Sequence, residues 1–509
     1  MNSYLQSYLI TAILSVSLLF IHTALNANHL SATAATDPEP DFITEKISDD
    51  QSIQPYHNNP WYWQYKGEPV MLLGGSREDN LFNHPEGLEQ HLDVLAASGG
   101  NYIRNTMSSR NPGNPWAFKK DSETGLYDLR KWNDQYWTRF EDLLRLSLER
   151  DIIVQIEVWD PWDFFRSEAS VGFGDGNVGW ESCPFNPLLN INYTSEETGL
   201  EEVVDYTVHT PSRHLFFQTP PELADIPEVR KYQEALVEKM LSISLNYPNV
   251  LYNIRNECRE AAEWARYWAR FIREHARMAG KEVFITDMRR SEDFSTPEQT
   301  DLLNDRVHFD FVDISQNSHH RGQDHYDQVI EIRRHVEGHP IPLNNVKVYG
   351  GTSDWTGGIE EGTRRFWRNI FAGAASARFH REGPSENFFG IGLNELAQTH
   401  IRSARMLSEM VSIFDARPDN TILGDRSADQ AYCLASGGKE YALYFPAGGE
   451  VTVDLGSMQG GIEIIWLDIL NSRWLDAEPS KGGEQIRLSA PGSGQWAAVI
   501  RPAGVPGAR

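Results

Sequence analysis

The chain has 509 residues, 40% of them apolar, enough to bury a large core in more than one domain and far beyond a small scaffold that depends on disulfide staples. Asp and Glu outnumber Lys and Arg by 72 to 46, so a nucleic-acid backbone or an anionic membrane surface would be repelled, and a neutral or weakly charged ligand is expected. Three scattered cysteines, Cys183, Cys258 and Cys433, give neither a disulfide framework nor a zinc spacing.

The first element is an apolar run from Leu9 to Ile21 followed by small residues at Ala32-Thr33-Ala34. It reads as a secretory signal over residues 1–35, although no Lys or Arg precedes Lys46, and it is short for a membrane anchor. The mature chain is therefore expected to be secreted or periplasmic, with no membrane insertion. An acidic, Pro-containing extension over 36–59 precedes the first strand-like run.

From 60 to 414 short apolar runs alternate with helical periodicity, the pattern of a parallel α/β architecture. Val70–Gly74 leads into a helix over 85–98, and Asn101–Arg104 into one over 134–150. Ile152–Val158 is third and is followed by a long aromatic insertion reaching Asp225; Val250–Arg255 is fourth. Glu282–Thr286, Phe311–Ser315, Val346–Tyr349 and Ala374–Phe379 complete eight units, which predicts a closed (β/α)8 TIM barrel. From 415 to 509 helical periodicity gives way to short alternating runs between Gly-rich turns, such as Glu440–Phe445 and Gly461–Trp466, which predicts a small antiparallel β-sandwich domain.

Chemistry in such a barrel sits where strands hand over to the following loops. The residues there are Arg77-Glu78-Asp79, Arg104-Asn105, Glu157 to Asp160, Asn256-Glu257, Asp287, His319-His320, Tyr349 with the loop to Trp355, and His380-Arg381. A set this rich in carboxylates, His and Trp suits cleavage of glycosidic bonds, which needs one protonated and one ionised carboxyl. Glu257 is the expected general acid/base, with a pKa raised so that it holds a proton near neutrality. Asn256, Arg104, Asp160, His320 and Tyr349 are expected to bind substrate, and Trp159, Trp162, Trp180 and Trp355 are candidate stacking platforms. Each carries a plainer alternative: Asn256 as a helix cap, Glu157 as a buried acid paired with Arg104, the tryptophans as core. No cofactor and no metal is expected, because the histidine pair lacks a third ligand at a defined spacing.

Arg104 on strand two, Asn256-Glu257 on strand four and the aromatic-polar loops after strands six to eight together resemble clan A glycoside hydrolases, the cellulase-like (β/α)8 superfamily. The segments Glu157-Val-Trp-Asp-Pro-Trp-Asp163 and Arg365 to His380 are similar to the apiosidase-like branch, in which a C-terminal β-domain of the collagen-binding type follows the barrel. The resemblance implies a retaining mechanism with Glu257 as acid/base and a nucleophilic carboxylate at the end of strand seven. Here that strand reads Val346-Lys-Val-Tyr-Gly-Gly351, without Asp or Glu. Asp354 in the next loop replaces the nucleophile, or Glu157 or Asp160 serves with a water, or hydrolysis is lost. The expected function is a secreted hydrolase of plant or algal type polysaccharides or their oligosaccharides. The alternative is a non-catalytic carbohydrate-binding protein on a hydrolase-derived barrel.

Overall fold

The computed structural model describes residues 49–166, 179–205, 207, 214–383 and 385–504. The run at Leu9–Ile21, the proposed cleavage site, most of the N-terminal extension and parts of the aromatic insertion lie outside them.

Eight short strands, all buried, form the centre: β1 (Leu72–Gly75), β2 (Tyr102–Thr106), β3 (Ile153–Trp159), β4 (Val250–Arg255), β5 (Ile285–Thr286), β6 (Val312–Asp313), β7 (Leu343–Asn344) and β8 (Ser376–Phe379). The order β5-β4-β3-β2-β1-β8 is one parallel ladder, and β6 pairs with β7 in parallel. Backbone hydrogen bonds close the ring. Asp310 N donates to Ile285 O at 2.8 Å between β5 and β6, and Ala375 N donates to Leu343 O at 2.8 Å between β7 and β8. The helices that follow the strands are α1 (Leu88–Ala97), α2 (Asp134–Leu148), α3 (Pro227–Ser244), α4 (Ala262–Met278), α5 (Pro297–Asn304), α6 (Gly322–Val336), α7 (Ile359–Phe371) and α8 (Glu395–Met410). The (β/α)8 barrel is thus the fold, with strand seven centred a few residues before the Val346–Tyr349 run.

The barrel interior is partly polar. Tyr102 donates to Gln155 at 2.5 Å, Asn344 to Tyr102 at 3.0 Å and Gln155 to Asp313 at 3.1 Å, so one network ties β2 and β3 to β6 and β7. These polar groups survive in the core because each finds a partner there. Burial pushes the Asp313 carboxyl up to about 6. At the N-terminal end Trp63 packs edge-on against Phe284 and Phe311 and donates to Asn344, which plugs the barrel opposite its loops.

After α8 the chain forms an antiparallel sheet in the order Arg417–Pro418, Tyr432–Ser436, Glu440–Phe445, Trp496–Pro502, Gly461–Asp468 and Arg473–Trp474. A three-stranded sheet of Leu423–Gly424, Glu450–Asp454 and Gln485–Ser489 faces it across a core containing Leu443, Phe445, Val453, Trp466 and Ile500. This sandwich packs on the barrel through α7. Arg368 forms a two-point pair with Asp429 at 2.8 Å, and Trp367 stacks on Tyr444 with ring centroids 5.6 Å apart. Because α7 is covered on both sides, nine of its residues from Gly362 to Phe371 are buried.

Candidate active site

A pocket of about 690 Å3 opens where the strands end, and its lining comes from the loops after all eight of them, together with Arg104 of β2. Glu257 lines it, two residues beyond the end of β4. The backbone there is left-handed, with φ at +47°, a conformation costly for a side chain with a Cβ and one that persists where surrounding structure imposes it.

Three donors converge on Oε1 of Glu257. Tyr349 Oη donates at 2.9 Å, Gln316 Nε2 at 3.1 Å, and Lys347 Nζ makes a short charged contact. Oε2 accepts no hydrogen bond among the described residues. Burial alone would raise this carboxyl, but the charge of Lys347, helped by Arg290 and by the hydrogen bonds from Lys347 and Gln316, holds it well below the usual carboxylate range. The expectation of a proton-holding Glu257 is therefore not met in the free site: the residue stands as a carboxylate. Lys347 itself is drawn below the ordinary lysine range by burial, with Arg104 adding to the pull, against the opposing fields of Glu257 and Glu157. Three donors on a single oxygen decide the pair in favour of the ionised acid.

Lys347 also donates to Asn256 Oδ1, and Asn256 Nδ2 donates to Asp160 Oδ1 at 3.0 Å. Asn256 thus bridges the lysine to a second buried acid, which Arg110 Nε holds at 3.0 Å. Tyr349 is positioned by a close backbone approach: a Cβ on Gly350 would come within 2.2 Å of Gly362 in the first turn of α7, so glycine is required there.

The remaining sequence candidates divide. Arg104, Asn256, Tyr349, Trp162 and Trp355 line the pocket, as do Asp79, His380 and Arg381. Glu157 and Asp160 do not line it; both are buried behind its wall. Arg104 Nε and Nη2 each donate to Glu157 at 2.6 Å, so the plainer alternative describes where this acid sits. Asp354 is exposed on the turn Asp354–Thr356 and lies outside the lining. Its peptide carbonyl accepts from the exposed Arg321 at 3.2 Å. Trp159 and Trp180 are core residues: Trp159 is 1% exposed among Phe164, Phe216, Trp264 and Trp268, and Trp180 packs on His214. His320 turns away to the Glu292 carbonyl and Gln328, while its neighbour His319 lines the pocket, stacked on Trp355 at 5.7 Å. Asp287 is locked to Arg255 by contacts of 3.0 and 2.6 Å.

The sequence reading did not single out Lys347, Gln316, Arg110, Arg259, Arg290 or Glu298, all of which line the pocket. Lys347 carried a usable signal. A lone lysine between Val346 and Val348 on a strand points into the barrel and requires a buried anion. Glu298, in the first turn of α5, is shifted upward by burial against the fields of Arg289, Arg255 and Arg259. Among the described residues no group of His, Cys, Asp and Glu is arranged to hold a metal ion.

No family model matches the sequence, and no curated protein does either. Solved structures are similar. One is a glycoside hydrolase family 5 protein from Bacteroides vulgatus, at 13% identity over 90% of this chain and 97% of that one, with a TM-score of 0.60. Another, a glycoside hydrolase, is 13% identical over 90% of this chain and 98% of that one, with a TM-score of 0.59. At such identity the likeness is one of fold.

Proposed function

We propose that the protein is a glycoside hydrolase in which Glu257 works as a carboxylate. The observation that carries this reading is the pocket-lining acid at the end of β4 whose Oε1 is fixed by Lys347, Tyr349 and Gln316 while Oε2 is left to the substrate. A carboxylate so held can attack an anomeric carbon or take a proton from a water. Glycosidic cleavage also needs a proton for the leaving oxygen. Glu298 is the pocket acid pushed toward its neutral form, and two carboxyls driven apart in pKa by their surroundings are a pattern of acid and base division. Asn256 and Tyr349 position Glu257 and meet sugar hydroxyls, and Trp355 and Trp162 offer ring faces to sugars.

Membership of clan A and of its apiosidase-like branch, a collagen-binding type of C-terminal domain, domain limits at 60–414 and 415–509, export through the run at Leu9–Ile21, and a plant or algal type polysaccharide as substrate belong to the same proposal. They rest on the sequence motifs and on the fold. A second reading, a carbohydrate-binding protein, is favoured by Lys347 itself, a cation where the family pattern has its nucleophile.

The test is release of reducing sugar from a panel of plant and algal polysaccharides and oligosaccharides. Release by the unaltered protein is expected, Glu298→Gln lowers it by roughly 10²–10⁴-fold, the range for a positioned proton donor, and Asp354→Asn leaves it within about twofold. Binding without release from any substrate would replace the hydrolase by the binding protein. Loss of activity in Asp354→Asn with Glu298→Gln unaffected would reverse the assignment of the second carboxyl.

A further inference from the structure

A second pocket, of about 290 Å3, is built by the loops after β2 and β3. Ser109 lines it, and Arg110, the next residue, lines the pocket of Glu257. Consecutive Cα atoms are about 3.8 Å apart, so the two cavities are neighbours across the stretch Ser108–Arg110. Asp163 fixes this ridge by accepting from Ser108 Oγ and from Ser109 N, each at 3.0 Å, and Trp162, just before it, lines the first pocket. The loop beyond the ridge is also tied down. Ser109 Oγ donates to Pro115 O at 2.7 Å, while Asn114 accepts from Asn80 at 3.0 Å and donates to Asn83 O at 3.2 Å. The cavity is therefore formed before any ligand arrives, which removes the cost of ordering its wall.

Its lining has the chemistry of a sugar site. Trp116 is half-buried, enters no ring pair among the described residues, and its indole N–H meets no acceptor among them. The Ser182 hydroxyl likewise has no partner there. Lys120 lies over the Tyr127 ring at 5.1 Å and forms no ion pair among the described residues. Donors without internal acceptors, beside an indole that no other ring covers, suit a ligand that carries both hydroxyl oxygens and a C–H face. The charged side chains of the lining are one of each sign, Lys120 and Glu181, so the cavity does not select an ion.

We infer that this second pocket is a distal binding site for a neutral saccharide, receiving a sugar ring of the same chain that reaches Glu257; the inference rests on the glycoside hydrolase reading and extends its site past the Ser108–Arg110 ridge. Trp116 stacks on the ring, and Lys120 and Ser182 donate to its hydroxyls.

The test is calorimetric binding to the full protein of thio-linked, uncleavable cello-, manno-, xylo- and galacto-oligosaccharides, each as a two-residue and a six-residue chain. Sugar release from the oxygen-linked counterparts is measured beside it. In at least one series the six-residue chain is expected to bind at least tenfold tighter than the two-residue chain. Trp116→Ala and Lys120→Met are each expected to reduce that advantage by about tenfold, the scale of one aromatic contact or one charge-assisted hydrogen bond. Lys120 is exposed, so its variant reads the site even where Trp116→Ala costs stability. No advantage of length in any series, or an advantage that a folded variant of either residue retains in full, overturns the inference. Release of sugar in that case leaves the hydrolase standing without the second site; an advantage lost in the variants with no release from any chain keeps the second site and removes the hydrolase.

Discussion

Glu257→Gln is expected to reduce sugar release by roughly 10²–10⁴-fold, the range that a base or acid in contact with the reacting atoms supplies. Glutamine keeps the length and shape of the side chain, so the pocket persists. What it removes is the charge at Oε2, the one oxygen that the protein leaves unoccupied. The substitution also leaves Lys347, only 2% exposed, facing a neutral amide. A buried ammonium without its anion is costly, so activity should be compared at a temperature where circular dichroism shows both proteins folded. Unchanged release in a folded variant would remove Glu257 from the chemistry and with it the proposed mechanism.

The largest effect on stability is expected at Arg104, which lies under the pocket and is fully buried. It forms two hydrogen bonds with Glu157 and an ion pair with Asp79, whose geometry falls outside that of a hydrogen bond although the atoms are 2.6 Å apart. Arg104→Met keeps much of the volume and leaves two buried carboxylates without their main counterion. The expected loss is about 3–5 kcal/mol, the range for breaking one side of a buried pair, read from urea unfolding. The pH dependence has a definite sign. Burial raises the Asp79 carboxyl, but Arg104, His380, Arg381 and Arg110 more than reverse this and hold it well below 3.8. A depressed folded pKa gives stability above the unfolded value that is lost as pH falls through the folded one. The deficit of the variant is therefore largest at neutral pH and narrows as pH drops below about 4. A constant deficit across that range would mean that lost packing, and not lost charge, is the cause.

The sequence disclosed the barrel because its strands are near-continuous apolar runs separated by amphipathic helices. β4 begins and ends at the expected residues, and α2 at the expected start. β7 was displaced because Leu343-Asn344 looks like a turn; Asn344 is paid for inside the barrel by Tyr102 and Trp63, which are more than 200 residues away. The site was less legible for the same reason. Trp159 at a strand end has the composition of a sugar platform, and it is buried by residues far along the chain, Phe216 and, on helix α4, Trp264 and Trp268, together with Phe164. His319 and His320 differ by one position, and the 3-10 turn Ser315–His319 that chooses between them has no periodic pattern to announce it. The strand-seven segment lacks the carboxylate of the family pattern, and its meaning lies in the cation it contains, Lys347.

The most direct measurement is the pH dependence of kcat/KM for sugar release in Lys347→Met beside the unaltered protein. Lys347 is what holds Glu257 low against its burial. Without it the carboxyl rises, and a reaction that needs the ionised form must lose its acidic limb at higher pH. The account predicts that the acidic limb of the profile moves up by a unit or more, roughly 1.4 kcal/mol per unit, while the basic limb, set by the proton donor, stays in place. An unmoved acidic limb, or a gain of activity near neutrality, would show that Glu257 acts as a proton-holding acid and would contradict the role assigned to it here.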